Sequence, residues 1–361
     1  MGSLRESAPA ALTEPRRPLG HPTPRSTAEG PRPTSPSWLR LRAVRDRGIV
    51  RCSQSGVRGS AARYPVIAIG VAAVSSAALL ISFARAQGVP ALAIAALRMS
   101  FAGLIVGPIA VLSCRKEILG LSRVEALYAA AAGVLLALHF AFWISSLDDT
   151  SVMSSVVFVS TSPVFVGIAS VFLLKERMGI STIVGVAISI VGAAFVAFSD
   201  FGQPGRHVLR GDLLALLGAV AASGYLLIGR RVRKRMSLTL YVGIAYSSAA
   251  LILLGVAGVT GARLAGYSRA GYLWVALLAA GPQLLGHTAY NWALKYVSAT
   301  FVTVTLLAEP VGATLLAIAF LAQVPSVLRL AGGVCILAGI VLAARAESRR
   351  KDAMRKLPHA V

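Results

Sequence analysis

Charged side chains are scarce in this 361-residue chain. Only 14% are Asp, Glu, Lys or Arg, against roughly 25% in a soluble globular protein. Acidic residues are the rarest, 14 against 36 Lys and Arg. So little charge excludes a soluble enzyme with one water-facing surface. Cysteine is nearly absent as well: Cys52, Cys114 and Cys335 lie far apart and fit no paired-ligand spacing, so neither a disulfide framework nor a zinc site is expected. The spans also lack a G-x-S-x-G elbow, an H-E-x-x-H pair and a phosphate-binding Gly-x4-Gly-Lys-Ser/Thr loop. An ATP-driven pump on this chain is therefore not expected, and neither a metal nor an organic cofactor is called for.

Apolar residues dominate instead, at 56%, with a mean hydropathy of +0.72. The net charge of +22 could signal nucleic-acid binding. The basic residues form no stripe on a polar domain, however; they sit between apolar segments and read as topology signals. No nucleic-acid partner is expected. Residues 1–64 hold 12 Arg and 8 Pro and are expected to be a disordered basic tail. This tail lacks the apolar stretch of a secretory signal. Its Arg- and Ser-rich, acid-poor composition suits either a cytoplasmic tail or an organelle transit peptide.

From Pro65 onward, apolar stretches recur that are long enough to cross a ~30 Å hydrocarbon core as helices. Ten are expected: 65–84, 90–112, 124–147, 150–174, 178–199, 212–229, 238–259, 271–294, 298–321 and 326–344. A basic tail follows at 346–361. The connections expected inside carry 17 Lys and Arg against 5 outside, which places both termini in the cytoplasm of a plasma or inner membrane.

An internal repeat organises these segments. Shifting the chain by 147 residues lays Leu79-Leu80-Ile81 on Leu226-Leu227-Ile228, Ser76 on Ser223, Leu147 on Leu294 and Pro163 on Pro310. Gly185 and Gly192 fall on Gly332 and Gly339, where they suit close helix packing or the seam of a homodimer. Each unit, 65–199 and 212–345, holds five expected spans. Five is odd, so the second unit must cross in the opposite sense. The fold class expected is thus an all-α membrane protein, ten transmembrane helices in two inverted five-helix repeats. Inverted repeats are typical of secondary transporters with a substrate site near the midplane.

The chain resembles the EamA-type permeases of the drug/metabolite transporter superfamily. The resemblance rests on the repeat, on Ser160-Thr161-Ser162-Pro163-Val164-Phe165, on Leu173-Leu174-Lys175-Glu176-Arg177, on Ala308-Glu309-Pro310-Val311 and on Arg98-Met99. Lys175 stands where that family tends to carry Gly, and Gln323 where an acid is expected. The resemblance implies movement of amino acids, other metabolites or drugs, usually outward.

Ionisable groups inside a span are costly and point to function. Glu309 falls near mid-depth of the ninth segment and replaces Ser162 of the first repeat. Desolvation opposes its charged form, so it could take and release a proton; a permanent ion pair or a cap for a helix bent at Pro310 is the alternative. Arg98 either pairs with Glu309 or receives an anionic substrate group. Gln283, His287 and Asn291 are spaced i, i+4, i+8, flanked by Tyr290. They suit a polar cavity lining or interhelical hydrogen bonds. His139 and Trp143 share a face of the third segment. Pro163 and Pro310 are expected to bend their helices. Together these residues suit a proton-coupled exporter of small metabolites, embedded in the bilayer and binding substrate and H+. An intramembrane hydrolase and a facilitative channel are the other readings.

Overall fold

The computed structural model describes residues 63–150, 155, 158–159, 161–170, 172, 179–198, 208–321 and 326–356. These belong to one compact unit, Ile49–Val361. The expected tail up to residue 62, part of segment 150–174, the turn 173–177, Gln323 and residues 357–361 lie outside the described residues.

Helices are the only regular elements among the described residues. In chain order they are α1 (Arg63–Ser75), α2 (Ala77–Ala86), α3 (Ala91–Ser113), α4 (Arg115–Leu119), α5 (Arg123–Asp149), α6 (Ser162–Ala169) and α7 (Ile180–Phe198). The second repeat supplies α8 (Val208–Val232), α9 (Leu238–Thr260), α10 (Arg269–Leu278), a π-helix (Ala279–His287), α11 (Thr288–Ala293), α12 (Ala299–Leu306), α13 (Glu309–Leu321) and α14 (Val327–Lys356). Among the described residues, five stretches are long and apolar enough to cross a membrane: Tyr64–Ala86, α3, α5, Leu209–Val232 and α9.

Serines set several helix starts. Ser122, Ser237, Ser268 and Ser298 each accept the backbone N–H three residues on, which satisfies a donor the first helical turn leaves free. Ser122 and Glu125 complete a capping box. α9 ends at Gly261, whose φ of 68° is the left-handed conformation that glycine adopts without a Cβ penalty.

The packing is the reverse of a soluble protein's. Large apolar side chains face outward, with Leu112, Leu127 and Leu251 all more than two-thirds exposed. The interior is rich in alanine: Ala93, Ala95, Ala102, Ala129, Ala132, Ala245 and Ala249 are fully buried. Small residues let backbones approach closely where no hydrophobic force distinguishes helix from lipid.

Equivalent helices of the two repeats pack on one another. A Cβ on Gly185 would meet the Gly339 carbonyl, and one on Gly192 the Gly332 carbonyl. The numbering rises along α7 as it falls along α14, so the pair is antiparallel. Each contact is also the image of the other under the 147-residue shift. Ser189 Oγ donates to the Ile336 carbonyl at 3.4 Å, between positions that the shift makes equivalent. α3 and α9 repeat the pattern, with Gly103 against Ser247 and Gly243 against Ala110. A pseudo-twofold axis therefore relates the repeats in opposite senses. The glycines serve close packing within one chain.

Three details depart from the sequence expectation. The connection after α3 contains the short helix α4. α14 continues to Lys356, well past residue 344, because the tail beyond the apolar stretch is rich in Ala, Arg, Lys and Met, all good helix formers. The eighth and ninth apolar segments are each interrupted, and both interruptions border the site below.

Candidate functional site

The repeats meet at a cavity of about 740 Å³, counted with its open mouth. Much of its lining comes in matched positions. Trp143 and Tyr290, Val159 and Leu306, and Ser162 and Glu309 stand 147 residues apart, and all six line it. The pseudo-twofold axis therefore runs through the cavity. Charge breaks the match, since Glu309 replaces Ser162, and Arg98 on α3 has Ala245 as its equivalent.

Arg98 is 1% exposed. Its Nε donates to Gln283 Oε1 at 3.1 Å, and its guanidinium lies over the Phe140 ring, 4.0 Å from the centroid, where the ring's negative face favours a cation. Its Nη1 is buried without a hydrogen-bond partner among the described residues.

Glu309 opens α13. Pro310 has no N–H to give to the preceding turn and disfavours helical backbone before it. α12 accordingly ends at Leu306. The N–H groups of Leu307 and Ala308 turn back to Val304 and Thr305, both at 3.1 Å. The break presents Glu309 at a helix N-terminus, where the macrodipole favours a carboxylate. Arg98 and Glu309 line the same cavity, but no guanidinium nitrogen of Arg98 lies within 4.0 Å of a carboxylate oxygen of Glu309. The direct ion pair, one of the two arrangements expected for Arg98, is not formed. Pro163 starts α6 in the matching position.

The Gln283–His287–Asn291 stripe does not share one face. Pro282 falls inside the π-helix, whose wider turns take the i, i+4 relation out of register. Gln283 turns to Arg98, while His287 lines the cavity and meets Phe140 edge-on. Asn291 is buried behind it, with Nδ2 donating to the Tyr225 hydroxyl at 2.5 Å and the Tyr246 hydroxyl at 3.2 Å. Tyr246 and Thr288 share a further hydrogen bond of 3.2 Å. Gln283 and Asn291 thus hold lining residues in place without themselves lining the cavity.

His139 Nδ1 donates to the Gly218 carbonyl at 3.0 Å, which leaves Nε2 the acceptor of a neutral ring. The His139 ring stacks on Trp143 with centroids 5.9 Å apart. The indole Nε1 of Trp143 and the hydroxyl of Tyr290 are both buried and lack partners among the described residues. Of the nearby hydroxyls, Ser162 lines the cavity, Ser155 bonds to Ser146 at 2.6 Å and Thr305 bonds to the Val302 carbonyl.

Tyr225 and Thr303 also line the cavity and were not singled out. A usable signal existed: their repeat equivalents are Ala78 and Val156, the same loss of symmetry that marked Glu309. Beyond Tyr225, α8 is clamped to the end of α11. Arg230 Nη1 donates to the Leu294 carbonyl at 2.7 Å, and Arg233 Nε to that of Asn291 at 3.1 Å. Cations suit such a C-terminal end. Burial lowers the pKa of Arg233 to about 10, with Tyr241, Tyr296 and Glu117 opposing the shift, so it keeps its charge at neutral pH.

The geometry agrees with comparisons across known proteins. The family model described as "EamA-like transporter family" matches twice, at residues 63–198 and 209–345. An uncharacterized transporter of Bacillus subtilis (strain 168), YdfC, is 25% identical over 56% of this chain and 67% of its own. An uncharacterized transporter of Clostridium kluyveri is 25% identical over 69% and 82% respectively. A solved crystal structure superposes with a TM-score of 0.66 at 21% identity, covering 81% of this chain and all of that one, which shows a shared fold. Two family matches that coincide with the two halves of a structural repeat leave one assignment: this multi-pass membrane protein belongs to the EamA-like transporter family.

Proposed function

We propose that the protein is a proton-coupled exporter of small metabolites, amino acids or related compounds among them, in a plasma or inner membrane with both termini cytoplasmic. Ten spans in two inverted five-helix units would rock about the shared axis and open the cavity to each side in turn. The observation that carries this reading is a cavity on the axis whose described lining holds one guanidinium and one carboxylate without an ion pair between them. Glu309 takes and releases the proton. Arg98, positioned by Gln283 and Phe140, binds substrate, with His139, Trp143, His287 and Tyr290 shaping the walls. A hydrolase would need a serine paired with a base, and neither His139 nor His287 is hydrogen-bonded to a serine among the described residues.

Metabolite efflux from cells overexpressing the chain identifies a substrate. Uptake of that substrate into proteoliposomes, with and without an imposed proton gradient, then tests the coupling. Transport should follow the gradient in the wild type and lose that dependence in Glu309→Gln. Gradient-driven transport that persists in Glu309→Gln sinks the coupling assignment.

A further inference from the structure

Three buried donors on residues that line the cavity have no hydrogen-bond partner among the described residues: Arg98 Nη1, Trp143 Nε1 and the Tyr290 hydroxyl. Their residues are 1%, 6% and 1% exposed. A buried donor left without an acceptor is costly, so three around one cavity mark a place made for acceptor atoms brought by a ligand. They come from α3, α5 and α11, and two of them occupy equivalent repeat positions. Val74, Leu226 and Leu307 give the wall an apolar part, beside the polar side chains of His139, Ser162, His287 and Thr303. Glu309 is the one carboxylate among the described residues that line the cavity, and Arg98 lines the same cavity.

We infer that the substrate is a small organic monoanion, a carboxylate or sulfonate on an apolar body, and that Arg98 is the counter-ion its oxyanion shares with Glu309. This rests on the proton-carrying role of Glu309 proposed above and fixes the sign of the coupling. With Glu309 ionised, its charge occupies the field of Arg98 and repels an incoming anion. With Glu309 protonated, Arg98 is free for the substrate, and Trp143 and Tyr290 complete the set of donors. Proton and anion therefore bind together and cross together, and no net charge moves with them. A cationic substrate would instead compete with the proton for Glu309. Outward movement of proton and anion would be driven by the outward gradient of the anion itself.

The groups facing Glu309 across the cavity are Arg98 from α3, His139 from α5, Tyr225 from α8, His287 from the π-helix and Tyr290 from α11. Protonation of a histidine would also strengthen anion binding, so the test must separate the histidines from Glu309.

The measurement is binding to the purified full chain in detergent, followed by isothermal titration calorimetry between pH 6 and 8. The probes are benzoate, phenylacetate and indole-3-acetate, with benzamide as a neutral control and benzylamine and tryptamine as cations. At least one anion should bind more tightly than the neutral and cationic probes, and its affinity should rise as pH falls. Arg98→Gln should weaken it by about tenfold or more. Glu309→Gln, a mimic of the protonated acid, should hold the tight affinity at every pH, whereas His139→Gln and His287→Gln should keep the pH slope. Preference for a cation, or for no anion over benzamide, overturns the inference. If an anion is preferred but the slope survives in Glu309→Gln, the anion site stands and the proton assignment of the preceding section fails. If the slope vanishes in a histidine variant alone, that histidine displaces Glu309 as the proton carrier and the shared counter-ion is refuted.

Discussion

Phe140 and His287 occupy the same position in the two repeats and touch one another, ring centroids 5.3 Å apart and nearly edge to face. A residue that meets its own counterpart lies beside the pseudo-twofold axis, so this contact locates the axis within the cavity wall. The two sides have diverged in role. Phe140 supports Arg98 on its ring face, and His287 presents a polar edge to the cavity. Restoring the symmetry with His287→Phe should preserve the contact and shift stability by less than about 1 kcal/mol. Phe140→Ala should cost about 3–5 kcal/mol through the void it leaves, in addition to the ring face lost from Arg98. Thermal unfolding in detergent distinguishes the two outcomes; equal losses would count against the axial placement.

The crossing of α7 and α14 offers a sterically defined test. An added Cβ at Gly185 would lie 2.7 Å from the Gly339 carbonyl, and one at Gly192 2.6 Å from the Gly332 carbonyl. Both neighbours are backbone and cannot swing aside. Gly185→Ala and Gly192→Ala should each destabilise by about 1–3 kcal/mol. As images of the same contact, they should do so to a similar degree. Gly255→Ala, where a Cβ meets nothing within 4 Å, is the control and should not destabilise the protein.

Asn291 bridges two tyrosine hydroxyls while its own Oδ1 has no hydrogen-bond partner among the described residues. Asn291→Ala should cost about 1–3 kcal/mol for the unpaired hydroxyls, plus a cavity. Asn291→Leu removes the orphan acceptor and fills the space, so its loss should be smaller. The order of the two midpoints in thermal unfolding checks this, and Leu falling below Ala would contradict it.

At the start of α9, Ser237 Oγ accepts the Leu240 N–H at 3.3 Å, and the Ser237 N–H donates to Glu117 at 2.7 Å. Ser237→Ala should cost about 1 kcal/mol. Glu117→Gln should cost less than Glu117→Ala, because the amide oxygen still accepts. Chemical denaturation followed by tryptophan fluorescence reads both comparisons.

The helices and their repeat were legible because each rests on a local quantity, the length of an apolar run or the recurrence of a residue at a fixed offset. Arg98 and Glu309 stood out for the same reason, as charges within otherwise apolar segments. Their relation to one another did not. Depth along two separate helices allowed either a direct pair or a shared ligand, and only the packing of α3 against the π-helix gave Gln283 to Arg98. The π-helix was equally hidden. Pro282 announces a missing donor, but whether the helix kinks or widens depends on its neighbours, and Gly286 lies tight against Val74 and Gly70 of α1. With that widening, a stripe drawn at a regular four-residue spacing separates into one wall residue and two supports. Tyr225 escaped notice because an interior tyrosine in an apolar helix looks like packing until its partner Asn291 is placed beside it.

The seam between α7 and α14 has a mechanical consequence. Main chain lies against main chain there, so no side chain can change rotamer to let the helices part, and the joint tolerates turning far better than separation. It would work as a hinge pin. A rocking motion of the kind proposed would then open the molecule where α1 lies along the π-helix and α8 along α5, and where the two broken helices already supply joints that bend.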